Sequence, residues 1–351
     1  MKTFLKLVRL GIGHYADRIS DEIDWNNIQG LAERQGLYAV VFDGVGKLPA
    51  NLWPPQDVLL EWIGEVVQDY ETRYDAYRRT LAEMVGFYNS HGIKMMVLKG
   101  YACGLNWPKP EHRPYGDIDI WLFGKQEEAD KILREKGIEA DNSHHHHSVF
   151  YWGVFTVENH YDFINVYHHQ SNRGLEAIFK ELGADDSHFV GVNGDKVYLP
   201  SPNLHALFLL KHMMNDFTSF STNLRQLLDW AFFVEKHTKV IDWKWLTGVL
   251  EQYHMLDFYS TINAICVDDL GFEASIFHGV QFKPMLKDKV LKDILEPEFT
   301  MAEPSRLIPR LAYKIKRWRG NRWKHEMCYN ESMWSAFWSG VWSHVLKPAS
   351  I

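Results

Sequence analysis

Apolar residues recur at steps of three and four between residues 57 and 88, through Val58, Leu59, Trp62, Ile63, Val66, Val67 and Tyr70, then Tyr74, Tyr77, Leu81, Met84 and Val85. Side chains so spaced share one face of a 3.6-residue repeat, and the run predicts one long helix or two consecutive ones. Ahead of it, Gly11, Gly13, Gly30, Gly36, Gly44 and Gly46 separate short apolar pieces, which predicts brief helices joined by turns. The texture changes at His91-Gly92. A glycine there ends a helix, and residues 93–100 (IKMMVLKG) then have the length and apolarity of a buried strand. A short helix is predicted from Tyr101 to Trp107, an extended loop through Pro108, Pro110 and Pro114, and a second strand from Asp117 to Phe123. A helix over residues 126–136 stops at Gly137, and two more strands, 148–151 and 154–163, turn at Trp152-Gly153. Ser201 and Pro202 open a largely helical remainder, marked by Leu204, Leu207 and Phe208 and later by Leu224, Leu227, Leu228, Ala231 and Phe232. The pattern divides the chain into a helical N-terminal region (1–80), an α/β core (81–200) and a helical C-terminal region (201–351).

The same alternation places chemistry. Asp117 and Asp119 lie two apart on a strand, so both carboxylates face one way while Ile118, Ile120 and Leu122 serve the packed side. Paired carboxylates on a rigid strand suit a hard divalent cation such as Mg²⁺, although Asp-x-Asp also occurs as two solvated aspartates at a strand end. In residues 155–163 one parity gives Phe155, Val157, Tyr161 and Phe163, apolar apart from Asn159. The other gives Thr156, Glu158, His160 and Asp162. If this strand lies beside the Asp117 strand with polar faces matched, Glu158 adds a third carboxylate, enough to ligate two metals or to ligate one and leave a general base. His160, on the same face, can orient the carboxylate, donate to a phosphate or shuttle a proton; a satisfied histidine on a half-buried strand is the plainer reading. Lys99-Gly100 closes the first strand, where a glycine lets the backbone approach a phosphate, and Arg113 precedes the aspartates within reach of one.

Composition narrows this reading. With 38 basic against 45 acidic residues the net charge is −7, which offers no global cationic field to a nucleic acid. Three cysteines without a paired spacing argue against a disulfide framework and fit a reducing, cytoplasmic setting. Lys6 and Arg9 interrupt the apolar stretch that a secretory signal needs, and no window has the length of a membrane span. Two local features remain. His144, His145, His146 and His147 form a run expected to be a solvated loop, since adjacent imidazoles do not easily close a tetrahedral site; a zinc-binding loop is the alternative. Arg306, Arg310, Lys314, Lys316, Arg317, Arg319, Arg322 and Lys324, interleaved with Trp318 and Trp323 and followed by aromatic-rich residues 333–346, form either a helix with one solvated basic face or a contact for an anionic partner.

The segments Val97-Leu98-Lys99-Gly100, Arg113-Pro114-Tyr115-Gly116-Asp117-Ile118-Asp119-Ile120 and Val157-Glu158-Asn159-His160 resemble the uncharacterised nucleotidyltransferase family of the polymerase-β-like superfamily. The resemblance implies an α+β fold with a small mixed sheet between helical regions, and transfer of a nucleoside monophosphate from an NTP such as ATP to an acceptor hydroxyl. It implies Asp117 and Asp119 as the metal pair for one or two Mg²⁺ ions, Glu158 as the third carboxylate with His160 beside it, and Lys99, Gly100 and Arg113 around the nucleotide. His212, Arg225 and Asp229 match a weaker downstream pattern and are expected on the acceptor side; the plainer reading of Arg225 and Asp229, four apart on a helix, is an exposed ion pair. The position after Gly100 is Tyr101, where the superfamily favours serine, and Gly100 lies farther from Asp117 than in the compact motif. The acceptor is a small molecule or a macromolecule, nucleic acid being disfavoured by charge. The competing function is a nucleotide- or partner-binding module with weak or no catalysis on the same fold.

Overall fold

The structure is a computed structural model that describes residues 1–19, 23–167, 169–279, 284–299, 304, 306–335 and 338. In chain order, α1 (Lys2–Gly11), α2 (Trp25–Arg34), α3 (Tyr38–Val45) and α4 (Gln56–Glu65) lead through a π-helical stretch (Val66–Thr72) into α5 (Arg73–Ser90). Next come β1 (Met96–Val97), α6 (Tyr101–Gly104), β2 (Ile118–Trp121), α7 (Gln126–Glu135), β3 (His147–Trp152), β4 (Phe155–His160), α8 (Asn172–Leu182), β5 (Phe189–Val192) and β6 (Asp195–Tyr198). The remainder is helical: α9 (Pro202–Ser219), α10 (Leu224–His237), α11 (Trp243–Gln252), α12 (Leu256–Asp268), α13 (Pro284–Leu295), α14 (Leu307–Gly320) and α15 (Arg322–Cys328). The fold is α+β. None of the described helices is long and apolar enough to cross a membrane. The apolar run at 57–88 is helical throughout, but its pitch widens at Val66, so α4 and α5 are separate helices.

The chain packs as two compact units. The first comprises residues 1–72, 106–114 and 210–330, and the second residues 73–105, 115–209 and the described residues after Asn330. The first unit is helical. Here the glycines do something other than make turns: Gly11 and Gly44 let α1 and α3 touch backbone to backbone. A Cβ on Gly44 would stand 2.1 Å from the Leu7 carbonyl oxygen, and one on Gly11 2.0 Å from that of Val40. Helix α10 starts where Asn223 and Gln226 cap each other's backbone amides, satisfying donors the first turn leaves open.

The second unit holds a six-stranded mixed sheet in the order β3-β4-β2-β1-β6-β5. β1 runs antiparallel to β2 and parallel to β6, and β2 runs parallel to β4. Ile118 and Ile120 of β2, with Phe155 and Val157 of β4, join a buried cluster with Tyr77, Leu81, Met84 and Val85 of α5 and Ala129 and Leu133 of α7. Fully burying such side chains stabilises by about 1.5–3 kcal/mol each. Asn159, the polar residue on that face, is buried and donates to Asp130 Oδ1 at 2.8 Å and to the Gln126 carbonyl at 3.2 Å, so α7 is tied to the sheet. On the opposite face Trp121 packs 4.3 Å from Phe163, which lies 5.6 Å from Phe179 of α8. Asp119 belongs to that second face.

Candidate active site

Register decides which side chains meet. β2 and β4 pair with Asp119 next to Glu158 and Trp121 next to His160, so the condition of matched polar faces holds. Asp119 is 1% exposed. Its Oδ1 accepts from Lys99 Nζ at 2.8 Å and from His160 Nε2 at 3.2 Å, and the same His160 nitrogen stands 3.5 Å from Glu158 Oε2. His160 Nδ1 donates to the Asp162 carbonyl at 3.2 Å, which fixes the ring. Asp117 lies just before β2 and is exposed. The loop that carries it is held to α5, where Arg73 Nε donates to the Tyr115 carbonyl at 2.5 Å and Tyr77 Oη to the Asp117 carbonyl at 3.4 Å.

Charge balance explains the protonation states. Burial alone would raise the Asp119 carboxyl, yet Lys99 and His160 outweigh it and hold that group well below the usual carboxylate range. Burial likewise opposes the Lys99 charge, but Asp119, with Asp117 and Glu158, keeps the ammonium above its ordinary value. For His160, burial is overcome by hydrogen bonds to Asp119 and Glu158, which push it up to about 9. Glu158 is resisted by burial and brought below its usual value by His160. The Asp119 charge, then burial, raises Asp117. His147 differs: burial takes it down to about 4, with Glu158 opposing.

Gly100 has φ +50°, and a Cβ there would lie 2.3 Å from Tyr77 Oη. The close approach that demands glycine is therefore by a tyrosine of α5. The helix after it, α6, spans only Tyr101–Gly104. Arg113 belongs to the first unit, where it is buried and grips Asp229 with two nitrogens, at 2.8 and 2.9 Å. Asp229 is buried as well and also accepts from Trp107 Nε1 at 2.8 Å, so the exposed Arg225–Asp229 pair gives way to a buried Arg113–Asp229 pair. In the same unit the Arg225 amide donates to the Gln35 carbonyl at 3.3 Å, and His212 Nε2 lies 3.4 Å from Asp216 Oδ2. Lys99, Gly100, Asp117, Asp119, Glu158 and His160 thus share the second unit, and Arg113, His212, Arg225 and Asp229 the first.

The histidine run is not a solvated loop. His145 and His147 are buried, because β3 begins at His147 and pairs it with His160, and His145 packs 4.5 Å from Tyr167. His147 is the residue near the site that periodicity missed. The basic tract is largely engaged: Lys324 is buried, with Nζ 2.6 Å from Asp293, Arg322 pairs with Glu326 at 2.6 Å, and Arg317 lies over the Phe220 ring at 4.1 Å. His168 and most of residues 333–346 lie outside the described residues.

Residues 21–268 match a family model described as an uncharacterised nucleotidyltransferase. No curated protein matches the chain. Among solved structures, an antigenic nucleotidyltransferase-like protein from Paracoccidioides brasiliensis is similar at 13% identity, over 58% of this chain and 98% of that one, with a TM-score of 0.35.

Proposed function

The chain belongs to the uncharacterised nucleotidyltransferase family, and on that footing we propose that it moves a nucleoside monophosphate from an NTP to a hydroxyl of its acceptor and releases pyrophosphate. The observation that carries the reading is the parallel register of β2 and β4, which sets Asp119 beside Glu158. An all-oxygen donor set of this kind fits Mg²⁺, and the Lys99 ammonium on Asp119 marks where a cation is favoured. Asp117, Asp119 and Glu158 would hold the metal. When bound, Mg²⁺ neutralises the triphosphate and stabilises charge on the leaving oxygen.

The protein's own groups divide the remaining work. Lys99, one residue from Gly100, would turn from Asp119 to the phosphates, since a lysine is a mobile point charge on a flexible stem. His160, anchored through Nδ1 to the Asp162 carbonyl, positions Asp119 and Glu158. Glu158 either ligates the metal or takes the proton of the attacking hydroxyl. Arg113 is left out of the nucleotide set because its guanidinium serves Asp229. The net charge of −7 favours an acceptor other than a nucleic-acid polymer. A cytoplasmic setting suits the NTP donor and the three buried free cysteines.

Calorimetric titration of the four NTPs, with and without Mg²⁺, tests this in wild type and in Asp117→Asn, an exposed position whose change leaves the core untouched. Mg²⁺-dependent binding that disappears in Asp117→Asn is the expected result. Binding unchanged in the variant, or none in wild type, overturns the assignment. Mg·NTP binding without pyrophosphate release across an acceptor screen assigns the chain to the binding-module reading instead.

A further inference from the structure

The histidine run left unused by the proposed chemistry meets the far strand of its own hairpin. His147 stands opposite His160 in the β3–β4 register, their ring centroids 5.4 Å apart. The His146 ring lies 4.3 Å from that of His147 and 5.7 Å from that of His160. One nitrogen of each comes within 4.8 Å of the other two. Adjacent ligands are no obstacle here, because His146 precedes the strand and escapes the alternation that would send it to the other face. Its backbone is fixed, the carbonyl accepting from the Tyr161 amide at 2.8 Å and the Asp162 amide at 3.1 Å.

The donor atoms are set for an ion. His160 donates its Nδ1 proton to the Asp162 carbonyl, the usual way a protein orients a ligating imidazole, and turns Nε2, now hydrogen-bonded to Asp119 Oδ1 at 3.2 Å, toward the cluster. His147 is 8% exposed, and its Nδ1 is buried without a hydrogen-bond partner among the described residues. Leaving such a nitrogen unsatisfied is unfavourable, and a coordinated cation offsets that cost. Glu158 Oε2 adjoins, 3.9 Å from His147 Nδ1 and 3.5 Å from His160 Nε2. Mg²⁺ prefers oxygen ligands and keeps its water, whereas imidazole suits borderline ions, and three histidines leave a fourth position open.

We propose that His146, His147 and His160 form a binding site for a divalent transition ion of the Zn²⁺, Co²⁺ or Ni²⁺ type, with Glu158 as the neighbouring oxygen donor. Binding forms metal–nitrogen bonds to His146, His147 and His160, releases the Nε2 proton of His160 to solvent and breaks that nitrogen's hydrogen bond to Asp119 Oδ1. The site does not rest on the Mg·NTP reading, although it borders the same carboxylates.

The test uses untagged full-length protein, stripped with chelator and titrated with Co²⁺ in a large excess of Mg²⁺. It is followed by visible ligand-field absorption and by metal content after gel filtration. One Co²⁺ per chain with nitrogen-ligand bands is expected. His146→Ala and His147→Gln should each weaken binding by at least roughly tenfold, the least seen when even outer partners of a metal are removed. A native far-ultraviolet dichroism spectrum in His147→Gln excludes misfolding as the cause. His144→Ala/His145→Ala and Asp117→Asn should keep the metal. Full affinity in the His146→Ala/His147→Gln double variant, loss in His144→Ala/His145→Ala, or no stoichiometric Co²⁺ in wild type overturns the proposal. Wild type that binds Co²⁺ but no Mg·NTP overturns the nucleotide reading alone.

Discussion

Asp119 is a buried carboxylate with two cations on one oxygen, an arrangement in which each charge is tolerated only because the others are there. Glu176 of α8 is the opposite case. It is 5% exposed, and its two oxygens accept from the Phe163 and Ile164 amides at 3.0 and 3.1 Å. Burial still dominates over those hydrogen bonds and pushes its carboxyl up to about 7. The folded state therefore holds a proton that the unfolded chain releases near the ordinary value of 4.5. Stability should fall as pH rises between those values, by about 3 kcal/mol in all, and then level off. Urea denaturation at intervals from pH 4 to 8 checks this. Glu176→Gln, which cannot ionise, should flatten that slope, and an unchanged slope would assign it to another group.

Elements were legible where one periodicity ruled. Alternation in β2 and β4 correctly separated Asp119 and Glu158 from Ile118, Ile120, Phe155 and Val157, since a strand with one packed face can sort its side chains only one way. His147 was within reach of the same logic: it and His160 are equidistant from the Gly153–Val154 turn, so starting β3 one residue earlier would have paired them. Gly11 and Gly44 were read as turns because the missing side chain that permits a turn also permits two helices to touch, and nothing local tells these apart. The contact itself is testable. Gly44→Ala should cost about 1–3 kcal/mol in a urea melt, as overpacking pushes α1 from α3. Gly46→Ala, whose Cβ would meet nothing closer than 3.5 Å, should stay within about 0.5 kcal/mol of wild type. The Arg113–Asp229 pair, 116 residues apart, left no trace that a pattern could reveal.

At the scale of the whole molecule, the chain changes unit five times, at 72/73, 105/106, 114/115, 209/210 and 330/331. A boundary at 80/81, where local texture suggests one, divides α5 and discards Tyr77, which is fully buried with ring contacts to Tyr115 at 4.7 Å and Phe155 at 5.2 Å. A fragment of residues 73–209 should unfold cooperatively in urea, and one of 81–209 should not; a cooperative transition in the shorter fragment would show that the first turns of α5 are dispensable. The same interleaving sets an order of events during synthesis, when the chain leaves the ribosome from its N-terminus. The six strands of the sheet have emerged by Tyr198, so the sheet with its carboxylates can close before α9 to α15 are made. Helices α1 to α4 emerge before the sheet, yet their unit waits for α10 to α15. Until then Phe4, Leu7 and Val8, which end fully buried, have only the helices made with them, α3 among them, to cover them. The unit begun before the sheet is completed after it.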